Sequence, residues 1–96
     1  MTQQQQIEAL ALSFPELARH GRPAPGVAPW DPAALEAWAC GPAPGAGALA
    51  AARFVLAVWN ARAPWRCGPF TLADFGAWDA AHREAFLAWA RSPWWP

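Results

Sequence analysis

Lysine and tyrosine are missing altogether from this 96-residue chain, and charged side chains supply only 15% of it, well short of the roughly 25% usual in globular domains. All seven cations are arginines, scattered from Arg19 to Arg91, and seven carboxylates balance them to a net charge of zero. A protein that holds phosphates gathers several cations on one face. No such footprint is present, so nucleic acid is not expected as a partner. Cysteine is limited to Cys40 and Cys67, too few for a disulfide scaffold. The most apolar stretch, 46–61, is interrupted by Arg53 and falls short of the ~20 residues that cross a bilayer, so no membrane partner is expected. The opening residues MTQQQQIEALALSF lack the basic segment of an export signal and carry Glu8. The expected setting is reducing and cytoplasmic.

Hydrophobic residues make up 55% of the chain, and Ala and Pro together exceed a third of it. A chain this short has room for one core and buries only about 60 to 65% of its unfolded surface. The exterior should therefore be unusually apolar. The same excess of Ala, Pro and Arg also arises in GC-rich bacterial genomes, which weakens composition as a guide to function.

The pattern along the chain predicts one all-α domain, a small compact bundle of four to five helices with Pro/Gly-rich connections. Thr2 and Gln5 have capping-box spacing, and Ile7, Leu10, Ala11, Phe14, Leu17 and Ala18 follow at intervals of three and four. This gives an N-terminal helix over 1–21. Pro15 removes one bond of that helix, so it either kinks there or restarts from Ser13. Residues 22–30 read as a linker, and Asp31 followed by Pro32 starts a short helix over 31–40, with Trp30 and Leu35 as a hydrophobic staple. The run over 48–62 is apolar around nearly its whole circumference and predicts a central helix, with Arg53 and Asn60 on one face. Its core RFVLAVW also suits a strand, but the alanine flanks favour helix. Thr71, with Asp74 three residues on, opens a C-terminal helical segment over 71–92, in which Asp79 either continues the helix or caps a new one after Gly76. Pro93 ends it, leaving the Trp-rich tail 93–96.

The stretch VLAVWNARAPWRCGPF, sixteen residues ending at Phe70, resembles the strand, Trp and Cys-Gly-Pro-Cys segment of thioredoxin-like proteins through Cys67, Gly68 and Pro69. It departs from that motif in two places. Trp65 is not adjacent to Cys67, and Phe70 stands where the second Cys belongs, so no resolving thiol is available in cis. What remains is a single thiol beside Arg66 and ahead of a helix start, where a cation and a helix dipole would favour the thiolate. The plainer reading of Cys67 is a small buried hydrophobe. Cys40, Cys67, His20 and His82 lack the paired spacing of a zinc site, and neither a metal nor a cofactor is expected. Asp79, His82 and Arg83 lie three and four residues apart, so the carboxylate can reach the imidazole or the guanidinium. His82 is thereby a weak candidate for acid–base chemistry, against an ordinary helical ion pair.

Eight tryptophans are the most unusual content, since each presents about 150 to 250 Å² and the interior is small. Trp59, Trp78 and Trp89 fall inside helices and read as core. Trp65, Trp94 and Trp95 lie in proline-bounded segments, where an indole either folds back or enters a partner's pocket. The expected function is a non-catalytic interaction module that docks on a protein partner or forms a homo-oligomer through Trp65, Arg66, Trp94 and Trp95. The alternatives are a thiol-dependent enzyme or redox accessory protein using Cys67, and a small-molecule pocket lined by tryptophans.

Overall fold

Proline and capping residues cut the chain into more helices than the bundle of four to five that periodicity suggests. The computed structural model describes residues 1–96 and contains six α-helices and no strand. They are α1 (Gln3–Leu12), α2 (Pro15–Ala18), α3 (Pro32–Ala39), α4 (Ala46–Trp59), α5 (Leu72–Ala77) and α6 (Ala80–Ala90), with one 3₁₀ turn over Arg19–Gly21.

Both extra breaks have local causes. A residue before proline is pushed out of the helical region, and Phe14 is extended at φ −92°, ψ 114°. The restart therefore caps on Phe14 with Pro15 in the first helical position, while Ser13 closes α1 through its hydroxyl, which donates to Leu10 O at 2.6 Å. In the last third Trp78 is extended at φ −80°, ψ 148°. Asp79 then caps α6, its Oδ1 accepting the His82 amide at 3.0 Å.

The other starts follow the sequence signals. Gln5 N donates to Thr2 Oγ1 while Thr2 N donates to Gln5 Oε1, and Asp31 Oδ1 accepts from Ala34 N. The linker turns onto α3 at Gly26, where φ is +82° and a Cβ would strike the backbone of Asp31 and Leu35. After α2 the backbone turns left-handed at Arg19 (φ 51°, ψ 47°) and His20 (φ 55°, ψ 46°) before Gly21 (φ 88°). For residues other than glycine this costs about 1–2 kcal/mol each.

Helix α4 runs through the middle of the bundle. Ala50, Ala51, Ala52, Val55 and Leu56 are fully buried, and the small alanines let α1, α2, α3 and α5 approach. It begins at Ala46 and ends at Trp59, so the central helix lies two residues earlier at its start and three at its end than the predicted 48–62. Asn60 is extended, and the Trp65 indole N–H closes the helix end by donating to Leu56 O and Asn60 O. Around Phe54 the rings of Phe14, Phe70, Trp78, Phe86 and Trp89 gather at centroid distances of 5.1–6.3 Å, mostly edge-on, a favourable aromatic geometry. Helix α6 reaches this cluster through Phe86 and Trp89, and its one fully buried residue is His82.

Candidate functional site

Arg53, the one charged side chain in α4, anchors the loop over 60–70. Its Nε donates to Cys67 O at 2.6 Å and its guanidinium pairs with Asp74 Oδ1 at 2.9 Å. Asp74 is buried and its other oxygen accepts the Thr71 amide at 2.8 Å. On the other side of the loop Glu36 of α3 accepts the Arg66 amide at 2.6 Å and faces the Arg66 guanidinium at 3.4 Å.

This clamp determines the surroundings of Cys67. Cys67 is 7% exposed, and burial pushes its thiol pKa up, with the Cys40 charge adding to that and Arg53 acting the other way. Arg66 turns to Glu36 instead, and the next helix begins five residues on, at Leu72. The direction is opposite to the one that a nucleophilic thiol needs. Cys40 is exposed, and both thiols are free. No three His, Cys, Asp or Glu side chains converge as metal ligands would.

His82 is 2% exposed, packed between Phe14 and Trp78. The Glu16 amide donates to its Nε2 at 3.2 Å, so the ring proton sits on Nδ1, which faces Asp79 Oδ1 at 2.8 Å. Glu16 Oε2 lies 3.8 Å from the same Nε2, but with an amide N–H on that nitrogen the contact is not an ion pair. Donation from the His82 amide and then from its ring lowers the Asp79 pKa. The base lone pair of His82 is therefore already in use. Arg83 leaves Asp79 alone and closes α5, donating to Phe75 O and Gly76 O.

The tryptophans divide by segment. Trp30 and Trp78 are buried, and Trp38, Trp59, Trp65, Trp89 and Trp94 are half-buried against the core. Trp95 is 60% exposed. Trp65 lines a small cavity of about 190 Å³ with Arg53 and Pro69. Trp94 folds back on α6, its carbonyl accepting the Trp89 indole N–H at 3.1 Å, and Trp95 stands edge-on to Trp89 at 5.3 Å.

Beside Trp94 an apolar groove of about 370 Å³ runs between α1 and α6. Ala9, Leu10, Ala85, Ala88, Trp89 and Met1 line it, with Gln6 and Ser13 as its polar members and no charged side chain. Sequence reasoning pointed to the tryptophans but missed the alanines, whose contribution is the space they leave. No helix is long and apolar enough to cross a membrane. No protein-family model matches the chain, and neither the curated proteins nor the solved structures yield a significant match.

Proposed function

We propose that the chain is a non-catalytic interaction module that pairs with a second copy of itself across the α1/α6 groove. The observation that carries this reading is the juxtaposition of a groove without charged side chains and the 60%-exposed indole of Trp95, one a recess and the other a projection. A face that holds both is self-complementary, which is what a two-fold interface requires. A net charge of zero removes the long-range repulsion that keeps highly charged proteins apart. A standard interface buries about 800 Å² per partner, a modest share of the 5439 Å² that the chain exposes. Trp65 and Arg66 are already engaged inside the chain, with Leu56 of α4 and Glu36 of α3, so Trp94 and Trp95 are the residues on which this reading rests.

Sedimentation equilibrium from low micromolar to about 100 µM tests it, a range that spans weak to moderate homodimers. The expected result is a dimer that Ala88→Arg converts to a monomer with unchanged helical circular dichroism, since Ala88 is exposed on α6. Trp95→Ala weakens the dimer at least tenfold. A wild-type chain that stays monomeric overturns self-pairing and leaves the groove to a helix of another protein. A dimer indifferent to both substitutions overturns the choice of face.

A further inference from the structure

A second concavity of about 560 Å³ opens on a different part of the molecule, between α2, the Arg19–Gly21 turn, the end of α3 and the starts of α4 and α6. Its volume falls in the range of small-molecule sites, and its lining is mixed rather than apolar.

One part of its rim carries a guanidinium and an imidazole. Arg19 and His20 stand on the left-handed turn, and neither side chain makes a hydrogen bond or ion pair within the chain. Arg19 lies over the Trp38 ring, 6.0 Å from its centroid, and that ring forms part of the wall. Carboxylates supply another part. Glu16 accepts no hydrogen bond, and Asp79 directs one oxygen at His82 while the other has no partner. The donors and acceptors a ligand needs are thus present and unspent.

Charge narrows the class of ligand. A simple anion placed against Arg19 meets Glu16 and Asp79, and a simple cation placed against those carboxylates meets Arg19. A molecule carrying both signs satisfies each group. A planar guanidinium suits a carboxylate, and a carboxylate pair with free acceptor oxygens suits an ammonium. We propose that this cleft binds a small zwitterion of the amino-acid or short-peptide class, with its carboxylate on Arg19 and His20, its ammonium on Glu16 and Asp79, and its body along Trp38. None of these residues lines the α1/α6 groove, so the two readings fail separately.

Amide and indole NMR shifts of Arg19, His20, Gly45, Ala48 and Trp38 provide the test, with glycylglycine as the zwitterion and with acetate and methylammonium as its two halves. Glycylglycine is expected to move these signals saturably, while each half alone does so at least tenfold more weakly. Arg19→Gly and Glu16→Gln are each expected to lower the affinity for glycylglycine at least tenfold. Arg19→Gly relieves the left-handed backbone and so keeps the fold. Glu16→Gln leaves in place the amide that holds His82. No saturable response to glycylglycine up to about 10 mM, a concentration beyond any specific recognition, overturns the proposal. So does equal affinity for acetate or methylammonium, or binding that both variants retain.

Discussion

Arg53 and Asp74 face each other at 2.9 Å across the junction of α4, α5 and the 60–70 loop, and the same guanidinium holds the Cys67 carbonyl. One cation thus ties three segments together. Breaking a buried pair leaves a lone buried charge and costs about 3–5 kcal/mol. The Arg53 side chain is 28% exposed, so part of that cost is screened. Asp74→Ala is expected to lower stability by about 2–3 kcal/mol, read from the urea midpoint, and Asp74→Asn by less. A loss under about 1 kcal/mol would mean that the pair is merely tolerated.

Two buried indoles differ in one respect. Trp78 donates to Gly47 O at 3.1 Å, whereas the Trp30 N–H has no partner. An unsatisfied buried donor costs about 1–3 kcal/mol, and replacing the indole by Phe removes it. Trp30→Phe is therefore expected to be the milder of the two Phe substitutions by about 1–2 kcal/mol. Parallel thermal melts check the order, and equal losses contradict it.

Acid should weaken the α6 cap. The Asp79 pKa is lowered by the His82 amide and ring, so the folded state binds its proton less readily than the unfolded chain. The resulting stability is present above the ordinary Asp range near pH 4 and is lost as pH falls through the depressed value. Comparing wild type with Asp79→Asn across pH should show an advantage for wild type at neutrality that fades toward the acid end. A constant difference would remove the carboxylate from the account.

Alkali acts in the other direction on Cys67. Burial raises its pKa, so its contribution is complete below the ordinary thiol range of about 8 to 9 and falls away as pH rises beyond it. In the native protein an aromatic disulfide reagent should modify the exposed Cys40 rapidly and Cys67 only on unfolding. Equal rates for the two thiols would restore the reactive reading of Cys67.

Gly26 permits no side chain. With φ at +82° and the Asp31 and Leu35 backbones in the way, Gly26→Ala should cost about 3 kcal/mol or more. Gly45→Ala and Gly76→Ala, whose added Cβ meets open space, are the matched controls, and a similar loss in all three would refute the steric cause.

Helix starts were the most legible part of the fold because their signals are local. Thr2, Asp31, Thr71 and Asp79 each announce a cap within four residues of sequence. The end of α4 was not legible, because Trp65, several residues beyond the helix, accepts the task of closing it. Periodicity placed Phe54, Trp78 and Phe86 on apolar faces but not in one cluster, which depends on how separate helices cross. The tail tryptophans stood out by composition. The groove beside them did not, since Ala9, Ala85 and Ala88 look like ordinary helix formers until two helices are set side by side. The mixed cleft was hidden for the same reason: the Glu16–Arg19 segment, Trp38 and Asp79 are far apart in the chain.

Helix α6 is fastened mainly from one side, by His82 and by the rings of Phe86 and Trp89, while α4 is enclosed on nearly all sides. Protection against solvent exchange should rank accordingly, with the amides of α4 opening only when the whole molecule unfolds and those of α6 opening through a smaller, cheaper excursion. In such an excursion the last helix and its tail lift away together while the alanine-rich centre stays shut, leaving a five-helix remnant with its aromatic nucleus bared on one flank.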